Sequence, residues 1–187
     1  MLLLACLPVV AAAAAAVGLT SSGNAFFGHE RVGRGGRRFR CWKIRTMAAD
    51  AEERLRTDPA LHESYRQNSF KLPDDIDPRV TPVGRFLRQT SIDELPQLWN
   101  VLNGTMSLVG PRPNLESEVR QYRLHELGRL AVRPGITCFW QVQGRAELPW
   151  ERQVELDLDY VHQRSFKTDV RLLLKTIPAV LTGRGAY

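Results

Sequence analysis

The N-terminal segment limits the fold more than any other part of this chain. Residues 1–20 contain no charged side chain, and an apolar run of this length can span a bilayer as a helix. A signal peptide is the weaker interpretation because no basic residue precedes the run, although its alanines offer small residues for cleavage. A spanning helix would leave the arginine-rich side in the cytoplasm. A helix bent at Pro8 would enter and leave on one face, and the weak hydrophobicity of alanine favours this shallow path.

The positive charge of the chain is concentrated directly after this segment. The net charge is +6, and residues 30–45 contain seven basic side chains and one acid, Glu30. The excess in this stretch equals that of the whole chain, so the remaining residues are balanced in charge. A basic patch beside an apolar segment indicates contact with anionic lipid headgroups. Nucleic-acid binding is the weaker alternative because no recognition motif is present, and we predict no nucleic-acid partner.

Length and composition predict one ordered domain with an appendage. A chain of 187 residues with a hydrophobic fraction of 43% suits a single globular core. Three cysteines and four histidines are scattered along it, so neither a disulfide framework nor a zinc site is expected. We predict an α/β fold, closer to α+β, in which a small compact domain of short strands and amphipathic surface helices follows the N-terminal segment.

Turn signals and hydrophobic periodicity divide this domain into short elements. The predicted strands cover residues 25–32, 37–45, 106–109 and 136–142. The predicted helices cover residues 47–70 with a break near Asp58, 82–88, 96–102, 114–127, 149–162 and 166–181. The apolar stripe after Pro96 is expected to pack in the core, with a membrane surface as the alternative. The sequence contains no phosphate-binding glycine loop of the ordinary nucleotide-binding folds.

Two adjacent carboxylates, Asp93 and Glu94, stand at the start of the helix near Pro96. Ser91 and Glu94 have the spacing of a capping box, so a structural cap is one interpretation. A metal site and a nucleophile that attacks phosphorus are the others. Glycoside hydrolysis is disfavoured because its two carboxyls face one bond across roughly 5–9.5 Å, which sequence neighbours do not readily provide.

Basic residues at the ends of four separate elements accompany the acid pair. They are Lys43, Arg88, Arg112 and Arg145. Pro111 and Pro113 restrict the backbone on both sides of Arg112, which suits bidentate binding of phosphate or carboxylate. Cations that clamp phosphates around a reactive carboxylate are the parts of a phosphoryl-transfer site. This combination predicts an enzyme, with a non-catalytic membrane-associated scaffold protein as the alternative.

Several long motifs occur in order from about residue 25 onward. They are KIRTM at 43–47, DPRVT at 77–81, TSIDELPQL at 90–98, NVL at 100–102, MSLVGPRP at 106–113, RPGIT at 133–137, QVQGR at 141–145 and GRGAY at 183–187. With these motifs the chain resembles the bacterial sugar transferases, which are monotopic phosphoglycosyl transferases. The resemblance implies transfer of a sugar-1-phosphate from a UDP-sugar to polyprenyl phosphate, such as undecaprenyl phosphate, with release of UMP. The implied pathway is exopolysaccharide, capsule or O-antigen synthesis, and the implied sugar is a hexose, glucose or galactose.

The resemblance also implies roles for individual residues. Asp93 matches the nucleophile that carries the phosphosugar covalently, Glu94 matches its catalytic partner, and Mg²⁺ is required near both. The positions that match basic residues around the donor or acceptor phosphates are Lys43, Arg88, Arg112 and Arg145. Asp169 matches a further acidic position whose role is left open.

The family organisation implies two parts and a location. Residues 1–24 match a re-entrant membrane helix broken near Pro8, and residues 25–187 match a catalytic domain on the cytoplasmic face of the bacterial inner membrane. The implied partners are the UDP-sugar, the polyprenyl phosphate and membrane lipids, and a homodimer is left open. Three departures stand out: the membrane helix is expected to be truncated before Pro8, Leu7 replaces a serine, and Cys138 replaces a glycine.

Overall fold

The computed structural model describes residues 2–67, 72–144 and 148–182. Its helices are α1 (Leu2–Thr20), α2 (Ala51–Thr57), α3 (Pro59–Gln67), α4 (Pro82–Gln89), α5 (Gln97–Leu102), α6 (Glu116–Val119), α7 (Phe139–Gln143), α8 (Trp150–Gln163) and α9 (Phe166–Thr182). Its strands are β1 (Phe26–Val32), β2 (Arg38–Ile44), β3 (Ser107–Val109) and β4 (Gly135–Thr137), and 3₁₀ segments cover Arg34–Gly36, Ile92–Glu94 and Leu124–Ala131. The predicted mixture of short strands and helices is confirmed. The predictions for residues 68–70, Arg145 and 183–187 lie outside the described residues.

Strands β1 and β2 form the predicted antiparallel hairpin. Its turn passes through Gly35 and Gly36, whose φ angles of 67° and 78° are ones that residues with a Cβ rarely adopt. Side chains alternate between the two faces of a strand, and directly opposed residues share a face. The register therefore places Arg31, Cys41 and Lys43 on one face of the hairpin.

Strands β3 and β4 form a parallel pair that carries the loop with Arg112. Val109 lies opposite Thr137 in this pair, and the two backbones approach closely just beyond it. A Cβ on Gly135 would lie 2.0 Å from the backbone nitrogen of Gly110, so this position requires glycine. The close approach fixes where the chain leaves β3.

The predicted strand over 136–142 is wrong beyond Thr137, where the chain turns into α7. Strand β3 is only three residues long, so the ladder offers no further partner. The apolar residues after β4 pack against α8 and α9 instead. Cys138 is fully buried beside Trp140 and Leu156, so it takes a place in the core without extending the strand.

The predicted continuous helix over 114–127 is also wrong, because α6 and the following 3₁₀ segment are separate. Glu118 accepts a hydrogen bond from the backbone N–H of Leu115 at 2.7 Å. Glu126 accepts one from the N–H of Arg123 at 2.6 Å. Each glutamate satisfies a backbone donor three residues earlier and so begins a new turn.

Helix α1 packs on the domain through one side. The buried residues of this contact are Val10, Ala13, Val17, Ile44 and Leu87. Ile92 and Leu95, on either side of the acid pair, pack against the same cluster. The segment Leu3–Thr20 has a mean hydropathy of 2.2 and is long enough to cross a membrane. The helix continues through Pro8, and its re-entrant path stays a prediction.

The apolar stripe of α5 is only partly in the core. Leu98 is buried, as predicted, whereas Trp99 and Leu102 are 55% and 65% exposed, so core packing is wrong for these two. Phe86 on the neighbouring α4 is 57% exposed. Because both helices contact α1, these side chains extend its apolar surface.

Candidate active site

The acid pair lies in the 3₁₀ segment between α4 and α5. Ser91, which precedes this segment, has a φ of 56° and makes no capping hydrogen bond through its side chain. The predicted capping box is therefore wrong. The carboxylate of Glu94 turns towards two cations, which bind it more strongly than a single backbone N–H would. Pro96 precedes the first residue of α5, so both acids lie at the mouth of that helix, as expected.

Glu94 is held by Lys43 and Arg112. Its Oε1 atom accepts hydrogen bonds from Lys43 Nζ at 2.7 Å and from Arg112 Nη2 at 3.1 Å. Burial by itself would raise the pKa of Glu94. The charges of Lys43 and Arg112 outweigh it and hold that pKa well below its ordinary value. The charge of Glu94 in turn raises the pKa of Arg112. These three residues form an ionised cluster.

Asp93 has a different environment from its neighbour. It is 6% exposed, and its Oδ2 atom lies 3.9 Å from Lys43 Nζ. No described residue donates a hydrogen bond to its carboxylate. Burial raises the pKa of Asp93 most, and the neighbouring charge of Glu94 raises it further. The charge of Lys43 lowers it, and the net result is a pKa of about 6. The two acids are thus distinguished: Glu94 is clamped and ionised, whereas Asp93 makes only the longer ion pair with Lys43 and is more basic.

The loop after β3 positions Arg112 rigidly, as its flanking prolines predict. The N–H of Gly110 donates to the carbonyl of Thr137 at 3.0 Å, and the N–H of Gly135 donates to the carbonyl of Pro111 at 3.0 Å. These bonds lock both ends of the Gly110–Pro111 step onto β4. The Arg112 guanidinium therefore projects from a fixed backbone towards Glu94.

Arg88 lies in the last turn of α4 and has partners of its own. Its Nε donates to Thr46 Oγ1 at 2.8 Å, and its Nη1 donates to Asp74 Oδ1 at 2.5 Å. Its charge lowers the pKa of Asp93, although no direct contact joins the two side chains. The sequence predicted Arg88 at the site but not its partner Asp74, for which the acidic turn over residues 72–78 was the available signal.

Two other predicted site residues are not brought to the acid pair by the described structure. Arg145 lies outside the described residues. Asp169 lies in the first turn of α9 and accepts a hydrogen bond from the Tyr160 hydroxyl at 2.9 Å. That hydroxyl also lies 3.1 Å from the carbonyl of Val109 at the end of β3. Asp169 thus supports the strand that leads to Arg112.

Asn100 is a positioning residue to which the sequence assigned no role. It is almost fully buried, and its Nδ2 donates to the carbonyl of Arg40 at 2.8 Å. Its Oδ1 accepts from the N–H of Trp42 at 3.1 Å. These bonds tie α5 to β2 one residue before Lys43. The family-like NVL motif at 100–102 was the only signal for this contact.

The acid pair offers oxygen ligands to a divalent metal. The described residues contain no group of three or more acidic, histidine or cysteine side chains that could hold a metal by themselves. Mg²⁺ commonly binds through one or two carboxylates together with substrate phosphates and water. Asp93 and Glu94 therefore fit a metal that arrives with a phosphate ligand.

The buried Asp93 and the partly buried Glu94 thus lie among cations, next to residues that pack against the apolar helix α1. The description "Bacterial sugar transferase" belongs to a family model that matches residues 1–183. The chain belongs to this family.

Named relatives span several bacteria. The UDP-galactose-lipid carrier transferase of Erwinia amylovora is 47% identical over 169 residues, which are 88% of this chain and 35% of that protein. The exopolysaccharide production protein ExoY of Rhizobium meliloti is 42% identical, with 92% and 77% covered. The UDP-glucose:undecaprenyl-phosphate glucose-1-phosphate transferase of Escherichia coli is 38% identical, with 100% and 39% covered. The chain thus spans little more than a third of two of these relatives.

Proposed function

We infer that this protein transfers a sugar-1-phosphate from a UDP-sugar to a polyprenyl phosphate, releasing UMP and initiating exopolysaccharide, capsule or O-antigen synthesis. The observation that carries this proposal is the difference between the two acids. Glu94 is clamped by Lys43 and Arg112, whereas Asp93 beside it makes no hydrogen bond to a described residue. The relatives include a UDP-galactose-lipid carrier transferase and a glucose-1-phosphate transferase, which supports a hexose as the sugar.

In the proposed first half-reaction, a carboxylate oxygen of Asp93 attacks the phosphorus that carries the sugar. A bond forms from this oxygen to phosphorus, the bond from phosphorus to the bridging oxygen breaks, and UMP leaves with that oxygen. The product is an aspartyl-phosphosugar. A phosphate oxygen of the polyprenyl phosphate then attacks the same phosphorus and releases the carboxylate of Asp93. Neither half-reaction requires a net proton.

The surrounding residues would stabilise negative charge on the transferred group. Lys43 and Arg112 are held on the partly buried carboxylate of Glu94, so their charges are fixed before substrate arrives. We assign phosphate contacts to these two residues, to Arg88 and to Arg145. Asp93 and Glu94 would hold Mg²⁺, which would supply further neutralisation of the phosphate charge. Asp169 would act indirectly, through Tyr160 and β3.

The apolar helix supports a reaction at a membrane surface. We propose that residues 1–24 form a re-entrant membrane segment and that residues 25–187 form the catalytic domain on the cytoplasmic face of the inner membrane. Val10 and Val17 of α1 share a buried cluster with Ile92 and Leu95, which flank the acid pair. This packing would hold the acid pair close to the headgroup layer, where the phosphate of a polyprenyl lipid lies.

The proposed function is tested by UMP release. Purified protein in detergent or nanodiscs is incubated with Mg²⁺, polyprenyl phosphate and each of several UDP-sugars, including UDP-glucose and UDP-galactose. The proposal predicts release of UMP and a polyprenyl diphosphate sugar with at least one hexose donor. A membrane-bound protein that releases no UMP from any UDP-sugar would support the scaffold alternative.

A further inference from the structure

Arg31 lies on β1 within electrostatic range of Glu94, and no role has been assigned to it. It shares a face of the β1–β2 hairpin with Lys43, which binds Glu94. At the end of β1, the N–H of Val32 donates to the carbonyl of Asn114 at 3.0 Å. Asn114 follows Arg112 by two residues, so this bond brings β1 against the loop that carries Arg112. Arg31 is thereby placed between two elements of the site.

The electrostatics of Arg31 agree with this placement. Burial lowers its pKa most, and the neighbouring charge of Arg112 lowers it further. The charges of Glu118 and Glu94 act in the opposite direction but do not compensate. Arg31 is therefore within electrostatic range of Arg112, and Glu94 is already shared by Lys43 and Arg112. A bound anion would relieve the repulsion between the two guanidinium groups.

The hydrogen bonding of Arg31 shows where that anion would bind. Its Nη1 atom is buried from solvent and has no hydrogen-bond partner among the residues that the structure describes. A buried donor without a partner costs free energy that a bound acceptor would recover. Phosphate oxygens are suitable acceptors because the guanidinium fork matches their geometry.

We propose that Arg31 is a substrate-binding residue that donates from its guanidinium to a phosphate oxygen of the substrate held at the acid pair. This inference rests on the proposed function and adds a residue to it. The phosphate could belong to the UDP-sugar or to the polyprenyl phosphate, since both present the same chemistry. Arg31 contributes binding and orientation, while bond making stays with Asp93.

The test is a binding titration of the full chain in detergent with Mg²⁺, using UDP and a short-chain polyprenyl phosphate as separate probes. Arg31→Gln is compared with Arg31→Lys, which keeps the charge but loses the fork. Arg152→Gln is the matched control because Arg152 is exposed on α8, where it pairs with Glu155. Thermal unfolding of each variant measures whether it is folded.

Loss of one buried charge-assisted hydrogen bond predicts about ten- to hundredfold weaker binding in Arg31→Gln. Arg31→Lys should lie between Arg31→Gln and the wild type, and Arg152→Gln should match the wild type. Weaker UDP binding alone would assign the donor phosphate, and weaker polyprenyl phosphate binding alone would assign the acceptor. Wild-type affinity for both probes in folded Arg31→Gln, or in Arg31→Lys if the former unfolds, would overturn the role of Arg31. A wild-type protein that binds neither probe would instead overturn the proposed function.

Discussion

Lys43 hydrogen-bonds one of the two adjacent carboxylates and forms only a longer ion pair with the other. Its Nζ lies 2.7 Å from Glu94 Oε1 but 3.9 Å from Asp93 Oδ2. One cation thus distinguishes two chemically similar acids: Glu94 is a fixed anion, and Asp93 accepts no hydrogen bond from a described residue.

The buried carboxylate of Asp93 should destabilise the fold when it is ionised. Its pKa is raised from 3.8 to about 6, so the folded state binds the proton more tightly than the unfolded state does. The protonated carboxyl of Asp93 therefore favours the folded state. This stabilisation is fully present below about pH 4 and is lost as the pH rises through about 6. Asp93→Asn should therefore increase the free energy of unfolding at pH 8 by roughly 1–3 kcal/mol. Denaturation at several pH values measures this, and a difference between variant and wild type that does not grow between pH 4 and 6 would contradict it.

The same titration should control the first half-reaction. A nucleophilic carboxylate must be ionised, so kcat/KM for UMP release should rise about tenfold per pH unit below about pH 6 and level off above it. Single-turnover UMP release between pH 5 and 8 measures this profile. A rate that is constant over the range, in a protein that stays folded, would argue against Asp93 as the group that titrates.

Removing the charge of Glu94 should affect stability and activity together. Glu94→Gln leaves the partly buried Arg112 without its carboxylate partner and the partly buried Lys43 with only Asp93 at 3.9 Å, which should cost on the order of 3 kcal/mol. UMP release should fall by at least about a hundredfold, because both cations lose their fixed position. Glu155→Gln is the matched control, since Glu155 pairs with Arg152 on an exposed face of α8 and should be neutral. Equal behaviour of the two variants would contradict the clamp.

Asn100 should matter for activity although it is a positioning residue. Asn100→Leu removes its bonds to the backbone of Arg40 and Trp42 and leaves those groups unsatisfied, which should cost about 2–3 kcal/mol. The end of β2 should become less well fixed, so kcat should fall more than the affinity for UDP does. Steady-state kinetics and UDP titration separate the two effects, and an unchanged kcat in the folded variant would contradict this role.

Local chemistry made part of the fold predictable. The β1–β2 hairpin follows from its glycine turn, and α4 begins at Pro82 because Thr81 accepts a hydrogen bond from the N–H of Gly84. The helix at 139–143 was not predictable from its β-forming residues. The short length of β3 and the packing against α8 and α9 determine the conformation of residues 139–143. Neither feature can be read from the residues of that segment.

The site was predictable to a similar extent. The acid pair indicated Glu94, the flanking prolines indicated Arg112, and the position at a strand end indicated Lys43. The structure joins these three residues by hydrogen bonds. The partner of Arg88 and the unsatisfied guanidinium of Arg31 were not predictable, because both depend on contacts between distant segments.

Asp93 is proposed to carry the phosphosugar covalently. Intact-protein mass spectrometry after incubation with Mg²⁺ and an active UDP-hexose, without polyprenyl phosphate, tests it most directly. The wild type should gain the mass of one hexose phosphate and lose it again when polyprenyl phosphate is added, whereas Asp93→Asn should gain none. An adduct that persists in Asp93→Asn, or a wild type that releases UMP only with acceptor present and never carries the adduct, would contradict the account.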